Sequence, residues 1–239
     1  SFYSGVAEGN INSDRLIQMM NVENDVLVIE EKGIYSVEKF LVARRLMYWQ
    51  AYLHKTSVVA ELILTKILKR AKELTQKGVV LPCSESLQFF MQNKILLINF
   101  DKNTLDKFSF LDDYDVMGAI KSWQFNDDYV LQNLCRMILN RDLLKIQITE
   151  DKPNKERLLD LKNKFIKKVN ISEKEADYFV FKGKLKNQAY SKSSEPIYVL
   201  KKDKSVEDVV EASDQMYLKA LSKEVTKYYI CFPKVVLES

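Results

Sequence analysis

From Val37 to about Lys77 the chain runs for roughly 40 residues without a glycine or a proline. Apolar side chains recur along it in steps of three and four, from Val37, Phe40 and Leu41 through Tyr48 and Tyr52 to Ile63, Ile67, Ala71 and Leu74. That period is helical, and Gly78 supplies a natural stop. A continuous helix of this length exceeds the usual globular range, so the spacing predicts a bend, or two helices, near Thr56. Turn-formers are scarce throughout. Glycine and proline together number ten, against about 29 for average usage at this length.

The remaining elements follow from local signals. Residues 10–20 read as a short helix capped by Asn12 or Ser13, and 25–29 as a strand running into the turn at Gly33. Ser36 is a candidate cap for the long helix. Residues 84–99 suggest one or two helices, 105–115 a loop, and Val116–Trp123 and Tyr129–Asn140 helices. Residues 1–142 therefore form a mostly helical lobe. After Arg141 the texture changes. Strand patterns at 143–148, 178–181, 197–200 and 227–232 alternate with helical patterns at Lys155–Lys168 and Asp214–Ser222. The order is β-α-β-β-α-β, that of a ferredoxin-like lobe. The fold class is α+β, with domains at 1–142 and 143–239. The stretch 187–195 reads as a disordered hairpin connection.

Composition excludes more function than it assigns. A net charge of +4 on 239 residues is not the concentrated basic face of a nucleic-acid protein. No apolar run reaches the ~18 residues of a membrane span. No secretory leader is visible, and a chain starting at Ser1 reads as processed or as a fragment. Cys83, Cys135 and Cys231 have no metal spacing and read as buried, reduced thiols of a cytoplasmic protein. The single histidine, His54, rules out three-His zinc sites, HExxH sites and His-Asp metal sites within the chain. The six glycines form no phosphate-binding loop. No catalytic residue and no metal ligand is assigned.

Arg44 is the most informative residue. On the long helix it falls in the stripe Val37, Leu41, Arg44, Tyr48, Tyr52. A guanidinium in an apolar stripe is costly unless paired, and its fork suits phosphate. His54 and Lys55 lie just beyond and could hold a nucleotide phosphate beside an aromatic. Asp112, Asp113 and Asp115 lack the glycine and distal glutamate of a calcium loop and read as a helix cap. Tyr178, Phe179 and Phe181 lack the order of an RNA-recognition strand and read as a buried sheet face.

The run from SerPheTyrSerGlyVal through AsnSerAspArgLeuIle to ArgArgLeuMetTyrTrpGlnAlaTyrLeuHisLys (44–55) resembles the HD-domain deoxynucleoside triphosphate triphosphohydrolases. That family includes the bacterial dGTPase-like enzymes and the vertebrate SAM-and-HD dNTPase. PheLeuAspAspTyrAsp (110–115) also fits bacterial members. The resemblance covers about residues 1–145. It implies hydrolysis of a dNTP to deoxynucleoside and triphosphate by a divalent metal whose His…His-Asp…Asp ligands lie upstream of Ser1. The chain alone would then be an inactive part of a longer homo-oligomeric enzyme. By the matching motif, Arg44 falls at a triphosphate-binding arginine and Tyr52 at the tyrosine against the deoxyribose. His54 and Lys55 match nucleotide sites between subunits, and Arg15 and Lys32 resemble basic residues of an allosteric site. Tyr48 stands where the vertebrate enzyme has a histidine, Leu53 where it has a glutamine, and Glu30 where it has an arginine. The alternative reading is a non-catalytic assembly or regulatory module that binds nucleotide or nucleic acid.

Overall fold

A computed structural model describes residues 11–194, 196–214 and 223–237. The class is α+β, as the sequence implies. Among the described residues the order is α1 (Ser13–Gln18), β1 (Met20–Glu23), β2 (Val26–Glu30), α2 (Ile34–Met47), a π-helical turn (Tyr48–Tyr52), α3 (Lys55–Gln76), α4 (Glu85–Gln92), α5 (Lys102–Ser109), α6 (Asp113–Trp123) and α7 (Tyr129–Leu139). There follow β3 (Lys145–Thr149), α8 (Lys155–Val169), α9 (Glu173–Ala176), β4 (Phe181–Asn187), β5 (Tyr198–Leu200), β6 (Val206–Asp208), α10 (Val209–Ala212) and β7 (Val225–Phe232). The helix expected at Asp214–Ser222 lies outside the described residues apart from Asp214.

Two compact units emerge, each built from separated stretches. The first takes in the chain up to Ser57, Ile148–Lys152 and Gly183–Tyr229; the second takes in Val58–Gln147, Pro153–Lys182 and the chain from Ile230 onward. Each unit draws on residues from both sides of Arg141.

In the first unit a four-stranded sheet has the order β1-β2-β5-β6. The hairpin β1–β2 is antiparallel, with Met20 opposite Ile29 and Val22 opposite Leu27. Its tight turn puts Asn24 and Asp25 at positive φ, the conformation that two-residue hairpins require and that Asn and Asp tolerate. Strand β5 then joins β2 in parallel, Val28 opposite Tyr198. This corrects the ferredoxin-like lobe: strand 197–200 leaves the C-terminal set and completes an N-terminal sheet. Strands β3, β7 and β4 form a separate three-stranded sheet in that order. Residues 178–180 are not strand, since β4 begins at Phe181. Phe179 is instead a buried core ring, 5.3 Å from Phe165 and 6.0 Å from Tyr129.

The core of the first unit joins Ile29, Ile34, Val37 and Leu41 to Ala189, Tyr190, Val199 and Val209. The expected disordered connection is thus anchored by two core residues. The Tyr190 hydroxyl donates to buried Asp208 and accepts from the Ile197 amide at 3.1 Å. Burial and the Asp208 carboxylate push that hydroxyl's pKa upward. The helix α2 starts at Ile34, with Gly33 at its cap, so Ser36 is inside the helix and caps nothing. Gly33 is required by packing, because a Cβ there would stand 2.7 Å from the Met19 Cβ and 2.8 Å from Ile29 Cγ2. At Gly183 a Cβ would overlap the buried Tyr229 phenol. Gly183→Ala should cost about 1–3 kcal/mol by overpacking and lower the melting temperature by several degrees, measurable by calorimetry. An unchanged melting temperature would show that the Tyr229 ring yields freely.

In the second unit the long α3 buries Val58, Val59, Ile63, Ile67, Ala71 and Leu74 as one stripe. The break in the expected 40-residue helix comes at Leu53–His54 rather than Thr56. Residues 102–109, partly expected as loop, form α5, whose Asp101 cap accepts from the Thr104 amide at 2.8 Å. The acidic cluster does cap α6. Asp112 accepts from the amides of Tyr114 and Asp115, and Asp115 accepts from that of Asp112 at 2.9 Å. Arg70 forms a two-pronged pair with Asp128, at 3.0 and 2.6 Å.

Cys135 and Cys231 are buried and Cys83 is half-buried; all three are free thiols. Burial pushes Cys135 up to about 12, and Cys231 to about 12 against a small opposing effect of Lys66. The thiolate is the reacting form. A thiol reagent at pH 8 should therefore modify Cys83 first, and the other two only in denaturant. Equal labelling of all three in the native protein, read by mass spectrometry, would contradict this burial.

Candidate functional site

Tyr48 and Tyr52 follow Arg44 at spacings of four, and the backbone over Tyr48–Tyr52 is π-helical. That widened turn still keeps the three side chains in line. The Arg44 guanidinium carbon lies 5.9 Å from the centre of the Tyr48 ring. The Tyr48 and Tyr52 rings are 5.2 Å apart at 53°, within the favourable range for tilted aromatic pairs. Below them, Val37 and Leu41 are buried in the core. The stripe therefore changes character along its length: its N-terminal half packs, and its C-terminal half meets solvent. Tyr52 is 62% exposed, and Arg44 is half-buried.

These residues line an open cleft of about 350 Å³ together with Ile11, Phe40, Ala43 and Met47. A guanidinium over a ring keeps its charge while losing part of its hydration. Such an arginine binds planar oxyanions well, because its fork is held in place. Tyr52 offers a flat apolar face and a hydroxyl beside it. Chemically, the cleft suits a ligand with an anionic end and a ring-sized, weakly polar body. Arg45, read as solvated, is half-buried.

His54 and Lys55 line a different cleft of the same unit, about 590 Å³, together with Trp49, Leu53, Ile148, Thr149, Glu150 and Lys227. His54 Nδ1 accepts from the Thr56 amide at 3.3 Å, so the histidine caps α3. An accepting Nδ1 leaves the ring proton of the neutral form on Nε2. The Lys227 ammonium stands 4.5 Å from the centre of the Trp49 ring. Sequence reading did not single out Trp49 and Lys227. They are 178 positions apart, and no local signal links a residue of the π turn to one of β7.

Arg15 and Lys32 do come together. The Arg15 guanidinium donates to the Lys32 carbonyl at 3.4 Å, while the Lys32 ammonium pairs with Glu30 at 2.9 Å. Lys32 lines a third cleft, of about 300 Å³, with Glu30, Glu31, Lys201 and Lys202. No local sequence signal marks Lys201 and Lys202. They arrive because β5 pairs with β2.

No group of three His, Cys, Asp or Glu side chains among the described residues could hold a metal ion. With one histidine in the whole sequence, the donor set does not fit an HD metal centre, and no metal-dependent step is assigned to these residues. Among the described residues no helix is long and apolar enough to cross a membrane.

Residues 11–80, which carry α1, the hairpin, α2, the π turn and α3, match the HD associated region. All six sequence-selected residues lie within that span. The chain therefore carries an HD associated region and is related to a phosphohydrolase. That relative, from Bacteroides thetaiotaomicron VPI-5482, shares 43% identity and superposes with a TM-score of 0.86 over 97% of this chain and 58% of its own. A hypothetical protein from Aquifex aeolicus shares the fold, with a TM-score of 0.60 and 22% identity over 99% of this chain and 52% of its own. The uncharacterized protein YwfO of Bacillus subtilis (strain 168) is 35% identical over 156 residues, 65% of this chain. The chain spans 34% of the length of YwfO and little more than half the length of the two solved structures.

Proposed function

We propose that this chain is the substrate-contacting and assembly part of an HD-type phosphohydrolase that cleaves a dNTP into deoxynucleoside and triphosphate. The observation that carries the reading is the alignment of Arg44, Tyr48 and Tyr52 on one wall of a solvent-open cleft inside the HD associated region. The relationship to a phosphohydrolase supports the reaction class, and the resemblance over residues 44–55 supports the nucleotide. Arg44 binds the triphosphate through its fork. Tyr52 packs against the sugar, where an added 2′-hydroxyl meets the phenol. The metal ligands lie outside these residues, because with one histidine in the sequence the donor set does not fit an HD metal centre. The divalent ion would supply the activated water when bound.

The test is release of inorganic triphosphate from each dNTP and each NTP by the intact protein, with Mg²⁺, Mn²⁺ or Co²⁺. Triphosphate from dNTPs and little from NTPs is the expected result. Release of single phosphate, or no release with any of these ions, rejects the reading.

A second reading is favoured by the cleft of Trp49, His54, Lys55 and Lys227, where two ammonium groups and an indole face one space. It makes the chain a regulatory module that binds nucleotide or single-stranded nucleic acid without cleaving it. Salt-sensitive retention of single-stranded DNA, with no triphosphate release, would favour it. No retention at low salt removes the nucleic-acid form.

A further inference from the structure

The second unit holds a cleft of about 290 Å³ that shares no residue with the Arg44 cleft. Its lining sorts by chemistry. Phe179, Phe165 and Leu144 are 0%, 3% and 4% exposed, and Tyr129, Met137 and Val169 are half-buried. The three rings pack together, Phe179 standing 5.3 Å from Phe165 and 6.0 Å from Tyr129. Asp142 and Lys234 also line the cleft, and their side chains are 75% and 58% exposed. The apolar side chains therefore make the inner part, and the charged ones lie toward solvent. An apolar concavity of this size, with a few polar groups at one side, stands at the lower end of the range for small-molecule sites, about 300–1,000 Å³.

The inner lining offers little to a sugar or a phosphate. The Asn133 amide, which also lines the cleft, already donates to the Tyr129 carbonyl at 2.8 Å. A polar ligand body placed there would lose its hydration without regaining hydrogen bonds, so the body that fits is apolar. On the solvent side the balance of charge is positive. Lys234 pairs with Asp142 at 2.7 Å. The Lys168 ammonium donates to the carbonyl of Val235, another lining residue, at 2.9 Å. Two ammonium groups thus stand against one carboxylate. An ion pair as exposed as Lys234–Asp142 is held weakly, and Lys234 can exchange Asp142 for a carboxylate brought by a ligand.

We propose that this cleft binds a small hydrophobic monocarboxylate, its apolar body against Phe165, Phe179 and Met137 and its carboxylate on Lys234. The probes are hexanoate, hexanol and hexylamine, which share one chain and differ in the head group. The intact protein, isotope-labelled at its methionine methyl groups, is titrated by NMR, with Met137→Leu assigning the Met137 signal. Hexanoate should shift that signal and saturate with a Kd on the order of 1 mM. Hexanol should bind roughly two- to fivefold more weakly, the small increment of an exposed charge pair, and hexylamine more weakly still. Lys234→Met should bring hexanoate to the level of hexanol and leave hexanol unchanged. Val169→Phe, which fills the cleft, should abolish the shift. An unmoved Met137 signal in the wild type, or hexylamine binding as tightly as hexanoate, overturns the proposal. Both are read on the wild type, so the test stands even where a variant fails to fold.

Discussion

If the protein is the proposed triphosphohydrolase, replacing Arg44 with alanine in the intact protein should lower kcat/KM for dNTP hydrolysis by roughly 10²–10⁴-fold. The estimate comes from the two charge-assisted hydrogen bonds of a guanidinium on a phosphate, each worth about 1.5–3 kcal/mol, with 1.36 kcal/mol per tenfold in rate. Arg44→Lys keeps the charge but loses the fork and the stacking on Tyr48, so it should recover only a minor part of the loss. The contrast between the two variants separates phosphate binding from packing. If Arg44 merely braces the α2 helix, both variants lose melting temperature together and kcat/KM stays near the wild-type value. Triphosphate release is the readout, with the affinity of a non-hydrolysable dNTP analogue as the second. Unchanged kinetics in Arg44→Ala would remove this arginine from the substrate site.

The largest stability effect should come from Asp128. Its carboxylate takes both prongs of Arg70, at 3.0 and 2.6 Å, and also accepts from the Leu131 amide at 2.9 Å as the cap of α7. Both side chains are about 15% exposed. Removing Asp128 takes two charge-assisted hydrogen bonds from a part-buried Arg70, about 1.5–3 kcal/mol, while Glu73 at 3.4 Å still faces the guanidinium, and the lost cap adds about 1 kcal/mol. Asp128→Ala should therefore destabilise strongly, by urea or thermal unfolding. The Tyr178 ring, whose centre is 5.6 Å from the Arg70 guanidinium carbon, does not replace a carboxylate.

The same pair sets a pH dependence. Burial opposes ionisation of Asp128, but the Arg70 hydrogen bond and the Leu131 amide outweigh it and hold the carboxyl below its ordinary value. A carboxyl depressed in the folded state binds fewer protons there than in the unfolded chain. Its contribution is complete above the unfolded value near pH 3.9 and is lost as pH falls through the folded one. The stability difference between wild type and Asp128→Asn should thus narrow in acid below about pH 4. A difference independent of pH would mean that the hydrogen-bond geometry, and not the charge, holds this site.

Short-range periodicity made much of the molecule legible. The buried stripe of α3, the caps at Asn12 and Asp112, and the line Arg44–Tyr48–Tyr52 each depend on residues three or four apart, whose geometry the helix itself dictates. The single histidine is by itself incompatible with a His-Asp centre built from these residues alone. The tyrosine line survived even where the backbone became a π turn, because one widened turn rotates the stripe without dispersing it. The break at Leu53–His54 was misplaced slightly, since His54 as a cap is a weaker signal than serine or threonine.

Tertiary structure alone decided which strands pair and which cations meet. A strand three residues long, such as Tyr198–Leu200, carries no record of its partner; β2 wins it because Ile29 and Val199 close one core with Leu41 and Tyr190. The same pairing brings Lys201 beside Lys32. Lys227 reaches Trp49, and Arg70 reaches Asp128, across sequence separations at which no local rule operates. Amino-acid order by itself determined the helices, their caps and the face that bears Arg44. The sheets and the clefts that bring Lys201 to Lys32 and Lys227 to Trp49 were decided by long-range burial, since only a closed core can repay the entropy of bringing distant segments together.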